Sequence, residues 1–227
     1  MVRENGERLP EGLVVIADSQ YAGRGQQGTE WVSEPGMNLT FSVLLYPKFL
    51  LPPQIFYLNK AIAVAVRNAV GALCHHPHVW IKWPNDIYAG NKKIAGTLIE
   101  NGFTSTTVQY SIIGIGLNVN QEEFDVSVPH PVSLKQIANK EFDLQDVLED
   151  VCSSIEQSYL LLRAFDFKKI DDEYHAHLYG MNKEMEFREG ENQFSGVITG
   201  VDGNGKLIID TAGGVRKLQV KEVSYIK

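Results

Sequence analysis

Apolar positions recur along this chain at two spacings, and the switch between them marks out its elements. Residues 13–17, after Pro10-Glu11-Gly12, form a short apolar run that predicts a buried strand. Residues 38–45 are rich in β-forming side chains and predict a second strand. Pro47, Pro52 and Pro53 then punctuate a turn, and Pro53 suits the first turn of a helix. Leu58, Ile62, Ala65, Ala69 and Leu73 follow at helical spacing and make one apolar face of a core helix.

Residues 81–83 and 92–100 predict neighbouring strands. Pro84 ends the first, because proline cannot donate to a ladder, and Ala89-Gly90-Asn91 is the turn of a hairpin. Residues 108–117 predict a long buried strand. Ser133 is placed to cap a short helix through Ala138. Asp143 is placed to cap a longer one, with Leu144, Val147, Val151, Ile155, Tyr159 and Leu162 facing inward. A further helical stretch reaches about Leu178, and its Asp171-Asp172-Glu173 run reads as a solvated face.

The period shortens near Met181. Residues 194–198, 206–209 and 216–220 alternate apolar and polar, and Asp202-Gly203-Asn204-Gly205 is a strong hairpin signal. Four or five short strands in so few residues predict a small barrel. The reading is an α/β chain with a main domain over residues 1–180 and a small β domain over 181–227.

Composition narrows the class. The 227 residues are 44% hydrophobic and 22% charged, which is ordinary for a globular protein with a sizeable core. A net charge of −7 argues against non-specific nucleic-acid binding. Cys74 and Cys152 lie in apolar helical surroundings and read as reduced thiols rather than a disulfide. Residues 1–11 are polar and charged, unlike a signal peptide, and no apolar run is long enough to span a membrane. A reducing cytoplasm accommodates all of this.

Candidate chemistry concentrates around one turn. Lys82, Asn85, Asp86, Lys92 and Lys93 fall close together there. Lysines suit anionic substrates, Asn offers a donor and an acceptor, and Asp can take Mg²⁺. A solvated hairpin with ordinary surface lysines is the competing reading. Arg24, between Gly23 and Gly25, is placed to pair with a carboxylate or phosphate. His75, His76 and His78 lack an acidic or cysteine partner at ligand spacing and read as an exposed polar turn.

The run Lys82-Trp83-Pro84-Asn85-Asp86, followed by Lys93-Ile94-Ala95-Gly96, resembles the signature of biotin protein ligases. The glycine-rich segment from Gly23 to Trp31 and the run Gly114-Ile115-Gly116-Leu117-Asn118 resemble two further motifs of that family, in the same order. The resemblance implies a mixed sheet with helices, like that of class II aminoacyl-tRNA synthetases, and an SH3-like C-terminal barrel. It implies an ATP-dependent ligase that makes biotinyl-5′-AMP with Mg²⁺ and transfers biotin to a lysine of a biotin carboxyl carrier protein. Lys93 and Arg24 would be catalytic. Gln20, Gly23, Gly25, Gln26, Gly96 and Gly114, with Arg24 and Lys93, would bind biotin. Trp31, Lys82, Asn85 and Asn118 would bind the nucleotide. Asp86 would hold the metal or serve the turn. A homodimer and no membrane or nucleic-acid partner complete the expectation.

This sequence departs from the family pattern in two places. Gln26 and Gln27 stand where arginine is frequent, which bears on how tightly adenylate is retained. Nothing in residues 1–11 resembles the family's Ser-Thr-Asn-like motif, so a first strand and helix, and any helix-turn-helix domain, are expected to be missing. Lipoate ligases and octanoyltransferases share the fold, but their arginine/glycine/histidine signature is not found here. A non-catalytic biotin- or nucleotide-binding remnant is the other alternative.

Overall fold

The structure is a computed structural model that describes residues 9–26, 30–126 and 128–226. The expectation about a missing N-terminal segment rests mainly on residues 1–8 and lies outside the described residues. Two sheets organise the chain. The first has six strands in the order β1-β2-β6-β5-β4-β3, and the second has five in the order β10-β9-β8-β7-β11. Every pairing between these strands is antiparallel. Parallel contact, which a mixed sheet would require, is confined to single bridges such as Ile81 with Leu178 and Lys93 with Pro131.

In the first sheet the strands are β1 (Val14–Ile16), β2 (Leu39–Leu45), β3 (Val79–Lys82), β4 (Asp86–Ala89), β5 (Lys92–Phe103) and β6 (Val108–Leu117). Among the described residues strand β1 is an edge, with a strand on one side only, and it is not buried as expected: Val15 and Ile16 are each about half exposed. The strand expected at residues 81–83 does end before Pro84, but it does not neighbour the strand of 92–100, because β4 lies between them. The run from Ile81 to Ile87 thus spans two strands. It folds as two antiparallel strands around a tight turn at Trp83, Pro84 and Asn85, with a cis Trp83–Pro84 bond.

One face of this sheet packs on helices α1 (Phe56–Cys74), α3 (Leu144–Arg163) and α4 (Phe167–Ala176), with the short α2 (Leu134–Ala138) beside them. Ser133 and Asp143 cap α2 and α3 through their side chains, as expected. Helix α1 is buried on more than the one expected face, since α3, α4 and the sheet all pack against it. Buried Lys60 on α1 pairs with Asp171 of α4 at 2.6 Å and donates to the Val201 carbonyl at 3.0 Å. Asp171 therefore does not belong to a solvated face. It is the counter-charge of an interior lysine, which the sequence run of acids disguised.

The second sheet comprises β7 (Glu184–Glu189), β8 (Asn192–Val201), β9 (Leu207–Thr211), β10 (Gly214–Leu218) and β11 (Ser224–Tyr225). Asp202 to Gly205 turns β8 into β9, and the Asp202 carboxylate accepts from the amides of Asn204 and Lys206. Both cysteines are free. No helix among the described residues is long and apolar enough to cross a membrane.

Candidate active site

The other face of the first sheet is the floor of a cavity of about 820 Å³. Three cross-strand rows make that floor. Thr40, Gly116 and Gly96 form one row; Ser42, Gly114 and Leu98 form the next; Ile112 and Glu100 form the third. Side chains on alternate residues share a face, so these positions point together. Glycine at 96, 114 and 116 lets a ligand lie close to the backbone.

Lys93 and Asp86 stand at one end of the floor, 2.6 Å apart and about three-quarters buried. A β-bulge brings them together. Ile87 pairs with Ala95 but Tyr88 pairs with Lys93, so Ile94 is an extra residue in β5. Counting back from Gly96 in strict alternation would put Ile94 and Lys92 on the cavity face. The bulge puts Lys93 there, leaves Lys92 exposed and buries Ile94 in the core. Gly96 makes room for the pair: a Cβ there would lie 3.3 Å from both Asp86 Oδ1 and Lys93 Cε. Beside them, Asn85 accepts from the Thr97 amide at 3.1 Å and its side chain donates to the Thr97 carbonyl. Tyr88 borders the same end, and burial, followed by Asp86 and Tyr179, pushes its hydroxyl up to about 12.

The described residues of the glycine-rich segment, 23–26, 30 and 31, cover the floor. Trp31 donates its amide to the Gly23 carbonyl at 2.9 Å, and Arg24 bridges to Glu30. Gly23 has no room for a side chain, because a Cβ would lie 2.4 Å from the Trp31 carbonyl oxygen. The Trp31 ring rests on Gly116, where a Cβ would come within 2.3 Å of it, and the Lys93 ammonium is 5.6 Å from its centre. Its indole N–H is buried without a hydrogen-bond partner among the described residues. Such a donor is costly to leave unpaired, so it is available to a ligand acceptor. The Arg24 guanidinium reaches Glu100 at 3.3 Å, with both side chains largely exposed.

A match to the model of the biotin/lipoate A/B protein ligase family covers residues 3–118. The chain belongs to that family. Biotin protein ligase from Aquifex aeolicus, solved with biotin and ATP, superposes with a TM-score of 0.81 at 28% identity, over 98% of this chain and 92% of that one. The biotin–[acetyl-CoA-carboxylase] ligase of Paracoccus denitrificans is 27% identical over 93% of this chain and 89% of its own length. The bifunctional ligase/repressor BirA of Bacillus subtilis is 31% identical over 94% of this chain. This chain spans 66% of that relative's length.

Of the residues expected from the family resemblance, Gln20, Arg24, Gly25, Gln26, Trp31, Asn85, Asp86, Lys93, Gly96, Gly114 and Asn118 all line the cavity. Gly23 sits at the base of the covering segment. Lys82 does not line it. Its ammonium lies 4.8 Å from the ring centres of Tyr88 and Tyr225, on the side of the second sheet. Asn118 is committed to the fold as well, donating to the Val132 carbonyl at 3.1 Å. No group of three or more His, Cys, Asp or Glu side chains able to hold a metal occurs among the described residues, and Asp86 already has Lys93 as partner.

Sequence reasoning missed Thr40, Ser42, Glu100 and Val220, which also line the cavity, and gave Gly116, a motif residue, no role there. The alternation of Thr40 and Ser42 within an apolar strand was a usable signal for the first two. Nothing local marks Val220, which arrives from the second sheet.

Proposed function

We propose that this chain is a biotin protein ligase that activates biotin with ATP and transfers it to a lysine of a biotin carboxyl carrier protein. The single observation that carries the reading is the Lys93–Asp86 pair, set beside glycines 96, 114 and 116 in a covered cavity, within a chain of the ligase family. In the first half-reaction a biotin carboxylate oxygen attacks the α-phosphorus, and pyrophosphate leaves. Two anions must approach, so a preorganised cation at the point of attack lowers the barrier. Lys93 is the group assigned to that task, and Asp86 holds it at the cavity. Mg²⁺ arrives with ATP and neutralises the triphosphate. In the second half-reaction the carrier amine attacks the acyl carbon, AMP leaves and the amine loses a proton. The cover formed by residues 23–26, 30 and 31 keeps water from the mixed anhydride.

Within this reading the glycines, Thr40 and Ser42 receive biotin, and Trp31, Asn85 and Asn118 border the nucleotide. Residues 1–180 form the catalytic domain and 181–227 the accessory one. Two free thiols fit a reducing compartment such as the cytoplasm. The test is mass spectrometry of a carrier domain incubated with the protein, Mg²⁺, ATP and either biotin or lipoate. Biotin addition that requires ATP is expected. Labelling by lipoate alone, or by neither acid, would overturn the proposal.

A further inference from the structure

The turn that presents Asn85 and Asp86 is fastened to the second sheet on both sides. Trp83 is 4% exposed, and its indole N–H donates to the Gly205 carbonyl at 2.9 Å. Gly205 itself is held between two elements. Its φ is +85°, and a Cβ there would lie 2.4 Å from Phe56 of α1. The carbonyl that receives Trp83 therefore has little freedom. Next to Trp83, the Lys82 ammonium lies between the rings of Tyr88 on β4 and Tyr225 on β11, 4.8 Å from each centre. Lys82 and Asp86 are register partners across the turn. The second sheet also supplies Val220 to the cavity wall.

These contacts come from separate parts of the second sheet: the β8–β9 hairpin, β11 and the segment after β10. Those of the hairpin and of β11 reach Trp83 and Lys82, the residues that lead into the turn, and Asp86 pairs with Lys93 at 2.6 Å. A charge-stabilising group displaced by about 1 Å loses on the order of a hundredfold in rate, so the fastening has kinetic weight. We propose that Trp83 and Lys82 are positioning residues through which the second sheet holds the Asn85–Asp86 turn, and with it Lys93, in register with the cavity. The inference rests on the ligase reading. It assigns the second sheet a task in the first half-reaction and leaves biotin binding to the floor of the first sheet.

Two variants test it. Trp83→Phe keeps a ring and removes the N–H; Lys82→Met keeps the stem and removes the charge. One readout is amide hydrogen exchange at Thr97, whose N–H donates to the Asn85 carbonyl, against Ile113 in the middle of β6. The others are biotin affinity by calorimetry and the rate of biotinyl-adenylate formation. Each variant is expected to raise Thr97 exchange about tenfold with Ile113 unchanged, to keep biotin affinity within about twofold, and to slow adenylate formation about tenfold. Unchanged Thr97 exchange in both variants overturns the proposal. So does a uniform rise in exchange with parallel losses of biotin affinity and rate, which would mean general destabilisation. If the unaltered protein forms no adenylate, the ligase reading fails, and Thr97 exchange still decides the positioning role by itself.

Discussion

Lys92 and Lys93 are neighbours in sequence with opposite surroundings: one is exposed, the other stands in the cavity against Asp86. Lys93→Ala is expected to cost about 3 kcal/mol or more of transition-state stabilisation, the scale for losing one preorganised charge-stabilising group. Lys92→Ala should leave the rate of pyrophosphate release unchanged. Equal rates for the two variants would refute the assignment of Lys93. Gly114 and Gly116 make a second contrast. A methyl group at Gly116 would collide with the Trp31 ring at 2.3 Å, whereas one at Gly114 meets the Leu98 carbonyl oxygen at 3.4 Å. Gly116→Ala should displace Trp31 and weaken nucleotide binding about tenfold, while Gly114→Ala should have the smaller effect on it; titration calorimetry with ATP reads both.

At the scale of elements, α1, α4 and the end of β8 meet at Lys60. Its ammonium has the Asp171 carboxylate, the Val201 carbonyl and the rings of Phe56, Tyr57 and Tyr174 around it. Removing one partner of a buried pair leaves the other charge uncompensated. Asp171→Ala is therefore expected to destabilise by roughly 3 kcal/mol, a fall in Tm of about 6–12 °C by calorimetry. Lys60→Met, which leaves Asp171, a third of it exposed, to solvent, should cost less. The β8–β9 hairpin carries a pH dependence. Burial would raise the Asp202 carboxyl, but the Lys206 and Asn204 amides and the Lys217 ammonium outweigh it and hold the group below its ordinary value. A carboxyl lower in the folded than in the unfolded chain stabilises the fold above the unfolded pKa. That contribution is lost as pH falls through about 4 and below. Asp202→Asn should lower Tm at pH 7 and show a smaller further drop between pH 5 and pH 3 than the unaltered chain.

For the molecule as a whole, the covering segment is closed on itself by the Gly23–Trp31 hydrogen bond and is tied to the sheet by the Arg24–Glu100 pair. The Arg24–Glu100 pair is exposed, and pairs of that kind contribute about 0–1 kcal/mol, so it cannot keep the segment closed without help from a ligand. Trypsin cleavage after Arg24 is expected to slow when biotin and ATP are present together. Cleavage at an unchanged rate would show that the segment does not close over the substrates.

Much of this was legible in the chain. Helical spacing, the caps at Ser133 and Asp143 and the hairpin signal at residues 202–205 describe local preferences, and local preferences are written in short stretches of sequence. The motif residues were legible for the same reason, since Asn85, Asp86, Lys93 and Gly96 lie within one hairpin. What lay beyond reach depended on contacts between distant residues. Asp171 looked like one of three solvated acids until α4 docked it on Lys60, 111 positions away. Lys82 belonged by sequence to the site, yet Tyr225 drew it toward the second sheet. Lys93 faces the cavity because one extra residue in β5 shifts the register. A one-residue shift inverts every side chain beyond it, and only pairing with β4 decides where that shift falls.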